Sequence, residues 1–112
     1  MRSRGKMGGM AEGALELVAA RFGALAEPMR LRILQALEGG EMTVTGLVGT
    51  TGAGQANVSR HLRVLMEAGM VARRREGPNA FYRISDPAIF ELCELVCRRM
   101  RSEFKAAAAK FR

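Results

Sequence analysis

The sequence predicts a mostly α-helical fold with one small β-hairpin, and three observations carry this prediction. Apolar residues recur every three or four positions before residue 69 and again after residue 87, as they do on the buried side of an amphipathic helix. Between these regions, apolar and polar residues alternate in two short runs, a pattern typical of strands. The chain has 112 residues, 48% of them hydrophobic, which suits one domain with a modest core.

Two helices are expected at the start of the domain. The first covers residues 11–25. Its apolar side would carry Leu15, Val18, Phe22 and Leu25. A second helix is expected to begin at Pro28, because proline is favoured at the first helical position, and to end at Gly39 and Gly40. Glu27 would be its cap, although glutamate is a weak capping residue.

The next two helices are predicted to form a helix-turn-helix. The shorter one runs from Thr43, a plausible N-cap, to Gly49. The longer one begins after Gly54 and ends at Gly69, a residue type that tolerates the left-handed turn after a helix. Its apolar stripe consists of Val58, Leu62 and Leu65. Two helices joined by a tight glycine-bearing turn are the arrangement that places the second helix in the major groove of DNA.

A hairpin is expected after this motif. Residues 70–75 and 80–85 are its strands, and residues 76–79 contain turn-forming residues. Arg73, Arg74 and Arg75 are the densest positive cluster of the chain. A protruding basic hairpin suits DNA phosphates better than base edges, whereas the alternative is a solvated charge run on an edge strand.

A long last helix is expected from Pro87 onward. Its apolar face would carry Ile89, Phe90, Cys93, Val96, Cys97, Met100 and Phe104. The face is longer than a local core needs, so we expect it to pack against a second copy of the chain. We therefore divide the chain into a disordered basic arm at residues 1–10, a DNA-binding and dimerisation domain at 11–105 and a C-terminal tail at 106–112.

The charge of the chain narrows the choice of partners. Eighteen Lys and Arg against eleven Asp and Glu give a net charge of +7 and a pI of about 10.7, which favours a polyanion. A membrane surface is the weaker alternative, because no apolar run approaches the roughly 20 residues of a spanning helix. No signal peptide is indicated, so we expect a cytoplasmic protein with reduced cysteines and no membrane contact.

Catalysis is not expected. The sequence contains no Ser-His-Asp or Cys-His arrangement, no glycine loop that would cradle phosphates and no carboxylate pair in a recognisable cleft. No cofactor is expected to be required for folding.

Three ordered blocks resemble one family of DNA-binding proteins. The runs ALAEPMRLRILQAL, GQANVSRHLRVLMEAGMVARRREG and FYRISD are similar to those of the ArsR/SmtB family of bacterial winged-helix repressors. The resemblance implies a homodimeric winged helix-turn-helix with five helices and a two-stranded wing, whose first and last helices form the dimer interface. The positions that it implies for double-stranded DNA contact are Gln55, Asn57, Ser59, Arg60, His61 and Arg63, with Arg73, Arg74 and Arg75 in the wing.

Physical reasoning divides these positions by role. Gln55 stands at the N-terminal end of its helix, where side chains reach base edges, and glutamine can pair bidentately with adenine. Ser59, Arg60 and Arg63 lie on the outward face and suit phosphates. His61 lies on the flank of the apolar stripe, so it either contacts DNA or is packed and hydrogen-bonded.

Two metal sites known in the family are absent from this sequence. Where arsenite- and cadmium-responsive members carry a Cys-x-Cys pair, this chain has Thr43 and Thr45. The family's zinc site on the last helix uses Asp, His, His and Glu. The corresponding residues here are Asp86, Ala88, Arg99 and Ser102.

Both cysteines of the chain lie four residues apart on the last helix. At this spacing the Cβ atoms of Cys93 and Cys97 are about 5 to 6 Å apart, whereas a disulfide needs about 3.5 to 4.5 Å. The pair can instead bind a soft ion such as arsenite, zinc or cadmium, or it can simply be buried. We therefore expect a repressor released from its operator by a thiophilic effector, which includes a reactive sulfur species or an oxidant. The alternative is a regulator without an effector, controlled by a protein partner or by expression level.

Overall fold

The computed structural model describes residues 9–109, which form five helices and one hairpin. In chain order the elements are α1 (Glu12–Leu25), α2 (Pro28–Leu37), α3 (Val44–Thr51), α4 (Gln55–Glu67), β1 (Val71–Glu76), β2 (Asn79–Ile84) and α5 (Ala88–Ala109). The predicted fold class of five helices and a two-stranded wing is confirmed. Most of the expected arm at residues 1–10, and residues 110–112 of the expected tail, lie outside the described residues.

Side chains and glycines define the helix ends. The Glu27 carboxylate accepts a hydrogen bond from the Met29 amide at 2.8 Å, so this weak capping residue does cap α2. The Thr43 hydroxyl accepts from the Gly46 amide at 3.1 Å, as expected of an N-cap. Helix α3 continues past Gly49 and ends at Gly52, whose φ of 76° is left-handed. Gly69 has the same φ and follows the end of α4.

The core lies where α2, α3 and α4 meet. Its fully buried side chains are Ile33, Leu47, Val58, Leu62 and Leu65. Three of these are the apolar stripe predicted for α4, so that stripe is confirmed as the buried side of the helix. The opposite side of α4 stays in solvent.

The hairpin is joined to a third segment of backbone. Strands β1 and β2 are antiparallel, with Val71 opposite Ile84 and Glu76 opposite Asn79. On the far side of β2, the Met42 amide donates to the Tyr82 carbonyl at 3.0 Å and the Tyr82 amide donates to the Met42 carbonyl at 2.8 Å. The segment before α3 therefore holds the middle of strand β2.

Helices α1 and α5 leave apolar side chains in solvent. Phe22 of α1 is 55% exposed, although its spacing predicted a packing position. On α5, Ile89 is buried, but Val96, Met100 and Phe104 are 51%, 45% and 65% exposed. Helix α5 continues to Ala109, so residues 106–109 of the expected tail are helical.

Candidate nucleic-acid interface

Helix α4 presents one polar face to solvent. Gln55 occupies the first position of the helix, and every side chain on this face is exposed. The face consists of Gln55, Ser59, Arg60 and Arg63. The structure thus brings four of the predicted positions together on one accessible surface of the second helix of the motif.

Asn57 is half-buried beside this face. Its Oδ1 atom accepts a hydrogen bond of 2.6 Å from Nη2 of Arg60, three residues further along α4. The bond holds the Arg60 guanidinium along the helix surface. Asn57 therefore contacts one of the exposed arginines of this face directly.

His61 is only 5% exposed, so of the two alternatives the packed arrangement is the one observed, and the side chain lies apart from the exposed face of α4. Its Nδ1 atom lies 3.2 Å from Nη1 of Arg30. Arginine has only donors, so Nδ1 must act as the acceptor and the ring is neutral. Burial lowers the pKa of His61, and the charges of Arg60 and Arg30 lower it further.

Arg30 makes contacts between helices that the sequence did not predict. Its Nε atom donates to the Ala24 carbonyl at 2.7 Å, and Nη2 donates to the Gly23 carbonyl at 3.2 Å. It therefore joins the end of α1 to α2 and, through His61, to α4. A signal was present, because Arg30 stands three and four positions before the buried residues Ile33 and Leu34 and so lies on the packed side of α2.

The three wing arginines do not form one cluster. Arg73 and Arg75 lie opposite Tyr82 and Ala80, whereas Arg74 lies opposite Phe81 and projects from the other side of the hairpin. Arg73 and Arg75 are exposed, and within residues 9–109 they make no side-chain hydrogen bond or ion pair. They remain suited to phosphates.

Arg74, predicted with its two neighbours to contact phosphates, is paired with carboxylates within the protomer. Its Nε and Nη2 atoms donate to the two carboxylate oxygens of Glu41, at 3.1 and 2.8 Å, and Nη1 donates to Glu76. The guanidinium also stacks over the Phe81 ring, 4.8 Å from its centre. The Arg74 guanidinium lowers the pKa of the Glu41 carboxyl, so Glu41 is ionised at neutral pH.

The two cysteines face a groove between α2 and α5. This groove has a volume of about 380 Å³, and its lining includes Leu31 and Arg32 of α2 and Phe90 of α5 together with both thiols. Cys93 is half-buried, Cys97 is exposed and both are free. Burial, and next the charge of Cys97, raise the pKa of the Cys93 thiol. In the described part of the chain, no group of three or more His, Cys, Asp or Glu side chains is placed to hold a metal ion.

A helix-turn-helix followed by a hairpin, with a polar and cationic second helix, defines a winged helix-turn-helix DNA-binding protein. A sequence model of the bacterial regulatory protein arsR family matches residues 27–73. The chain belongs to this family, whose members are DNA-binding transcriptional regulators. The resemblance noted in the sequence is thereby confirmed. Between residues 9 and 109, no helix is both long and apolar enough to cross a membrane.

Relatives and solved structures agree with this assignment. A probable mercury resistance operon repressor of Streptomyces lividans is 40% identical over 74 residues, which cover 66% of this chain and 59% of that protein. An uncharacterized HTH-type transcriptional regulator of Methanocaldococcus jannaschii is 39% identical over 82 residues, or 72% and 92% of the two chains. The homodimeric winged helix-turn-helix domain of a possible ArsR-family regulator from Mycobacterium bovis superposes with a TM-score of 0.75 at 32% identity, covering 89% and 95%.

Proposed function

We propose that this protein is a homodimeric repressor that binds operator DNA through α4 and the wing and dissociates when a thiophilic effector binds Cys93 and Cys97. The observation that carries the effector part of the proposal is the shared groove: both thiols line one cavity between α2 and α5. The name of the Streptomyces relative, a probable mercury resistance operon repressor, supports both the repressor role and a thiophilic effector.

The DNA-binding step uses the exposed face of α4. Gln55 is the candidate for reading a base edge, because the N-terminal end of the second helix approaches the bases in this class of protein. Ser59, Arg60 and Arg63 are candidates for phosphate contacts, and so are Arg73 and Arg75 in the wing. The contacts of these arginines with phosphates would supply sequence-independent affinity that falls with increasing salt.

Dimerisation would bury the apolar surface that α1 and α5 leave in solvent. The large exposed apolar side chains on these helices include Phe22, Val96, Met100 and Phe104. A two-fold axis beside them would bring this patch of one protomer against the same patch of its partner, which is an isologous interface. Two α4 helices can then meet half-sites about one helical turn, roughly 34 to 36 Å, apart.

The effector step follows from the position of the thiols. An ion bridging Cys93 and Cys97 would occupy the groove between α5 and α2, so it would change how these two helices are held relative to each other. Helix α2 also carries Arg30, which contacts His61 of α4. A trivalent arsenic ion prefers three sulfur ligands, so its third ligand would come from the partner protomer or a small thiol.

Release from DNA requires a large difference in effector affinity between the two states of the protein. To move the protein from 1:99 to 99:1 between its two states, the effector must bind the DNA-free state about 5.5 kcal/mol more tightly. Thiolate coordination is strong enough to supply a difference of this size, since structural zinc sites bind with apparent free energies of about 10 to 16 kcal/mol. Because each thiol must lose its proton to bind, we expect effector affinity to rise with pH.

The test measures DNA release by the reduced protein. Wild type, Cys93→Ser and Cys97→Ser are each titrated with arsenite, mercury(II), zinc, cadmium and a persulfide donor while DNA binding is followed by fluorescence anisotropy. Ser102→Ala, a change at another exposed position of α5, is the control. We expect release from wild type and the control by at least one effector, and retention by both serine variants. Release of all four forms alike, or of none, would leave the alternative of a regulator without a thiol effector.

A further inference from the structure

We propose that Arg74 is a positioning residue that fixes the wing against Glu41, so that the phosphate contacts of the wing come from Arg73 and Arg75. The inference rests on the DNA-binding part of the proposed function. It assigns different tasks to three adjacent arginines that the sequence presents as one cluster.

The geometry around Arg74 is that of a planar, bidentate contact. Two guanidinium nitrogens meet the two oxygens of Glu41, at 3.1 and 2.8 Å, and a third nitrogen meets Glu76. Such a fork fixes direction as well as distance, which a single ammonium contact would not do. The Phe81 ring also lies against one face of the Arg74 guanidinium, which restricts the orientation of the guanidinium plane.

The charge balance of this group does not favour an anion. The positive charge of Arg74 is already matched by the carboxylates of Glu41 and Glu76, and the charge of Arg83 also acts on Glu41, so the group carries no excess positive charge. A phosphate that approached Arg74 would meet both carboxylates, and Arg74 would have to leave them to bind it. Arg73 and Arg75 carry no such partners within residues 9–109.

The position of Glu41 explains what the contact orients. Glu41 immediately precedes Met42, whose backbone is hydrogen-bonded to Tyr82 of β2. Thr43 follows and caps α3. The ion pair thus adds a second, lateral contact between the wing and the segment that leads into the helix-turn-helix, and it sets the direction of the wing relative to α4.

An exposed ion pair of this kind adds little to stability, so its test must measure DNA binding. A duplex selected by the wild type from random sequences serves as the probe, and affinity is measured at several salt concentrations. Arg75→Ala should make the dependence of log affinity on log salt shallower by about one. Arg74→Ala should weaken binding severalfold and leave that slope unchanged.

A charge swap separates orientation from direct contact. Arg74→Glu alone should weaken binding strongly, because three carboxylates then meet on one side of the wing. The double variant Glu41→Arg with Arg74→Glu restores an ion pair with the net charge of the wild type, and we expect it to recover most of the affinity. Glu41→Arg alone and Glu41→Arg with Arg98→Glu are the matched controls. The second control has the net charge of the wild type but no carboxylate beside residue 41, because Arg98 is an exposed residue of α5, so it should not recover.

The outcomes distinguish the two levels of the proposal. If the wild type binds but the charge swap does not recover affinity, the positioning role is overturned. If Arg74→Ala lowers the salt slope by about one, Arg74 is a phosphate contact and the positioning role is overturned as well. A wild type that selects no duplex would overturn the DNA-binding function and this inference with it. Thermal unfolding of each variant shows that it is folded.

Discussion

Arg30 and His61 join helix α2 to helix α4 through a contact of 3.2 Å between Nη1 and Nδ1. The same guanidinium donates to the Gly23 and Ala24 carbonyls at the end of α1. One side chain therefore connects three helices, and it requires a neutral imidazole because arginine offers no acceptor.

The contact predicts that the protein loses stability in mild acid. Burial, and next the charges of Arg60 and Arg30, lower the pKa of His61 below its ordinary value of 6.5. As the pH falls below about 6.5, the unfolded chain takes up a proton that the folded chain refuses, so the free energy of unfolding decreases. His61→Gln keeps an acceptor but does not titrate. Its unfolding free energy should therefore vary less between about pH 7.5 and 5.5, as measured by urea denaturation.

The comparison isolates the titration of His61, because His61 is the single histidine of the chain. Equal dependence on pH in the wild type and His61→Gln would contradict the assignment.

Gln55 should carry sequence discrimination, whereas Arg63 should not. Gln55→Ala would remove the proposed bidentate contact to one base, so we expect it to lose about 1 to 3 kcal/mol of preference at one position of the selected duplex. Arg63→Ala should weaken binding to selected and random duplexes by the same factor and make the salt slope shallower by about one. Competition binding with duplexes changed at single positions measures both effects. The roles would be wrong if Gln55→Ala lowered affinity equally for every duplex.

Val96→Glu should convert the dimer to monomers. Val96 is 51% exposed in the protomer, so a charge there leaves the core intact but would be buried at the proposed interface at a high cost. Arg98→Glu, on the polar side of α5, is the matched control and should remain dimeric. Sedimentation at micromolar concentration measures the result; a wild type that is monomeric with and without DNA would contradict the dimer.

The two thiols should differ in reactivity. Cys97 is exposed, whereas Cys93 is half-buried and its pKa is raised chiefly by that burial. Since the thiolate is the nucleophile, iodoacetamide at neutral pH should label Cys97 before Cys93, and raising the pH should accelerate labelling of Cys93. Tandem mass spectrometry of partly labelled protein assigns each site. Labelling of Cys93 first would contradict this order of reactivity.

The elements of this fold could be predicted because their signals are local. The apolar spacing of Val58, Leu62 and Leu65 gives both the existence of α4 and its buried side, and Thr43 and Gly69 mark helix ends through their own backbone chemistry. Glycine spacing alone did not identify the last residue of α3, because Gly49 is tolerated inside the helix while only Gly52 adopts the left-handed conformation.

The candidate site was less predictable, since its contacts join residues far apart in sequence. Arg74 and Glu41 are separated by 33 positions, and Arg30 and His61 by 31. The pattern RRR indicates positive charge but not which arginine finds a carboxylate partner. For His61, a flank position on a helical wheel is compatible with either surface, and only the packing of α2 against α4 decides between them.

The reciprocal hydrogen bonds between Met42 and Tyr82 also bear on the order of folding. They close a loop of chain that contains α3, α4 and β1, and closing a long loop costs conformational entropy before any contact within it is gained. The burial of Leu47, Val58, Leu62 and Leu65 inside that loop can offset this cost. We therefore expect the three-helix core to form first and the wing to acquire its final anchorage late in folding.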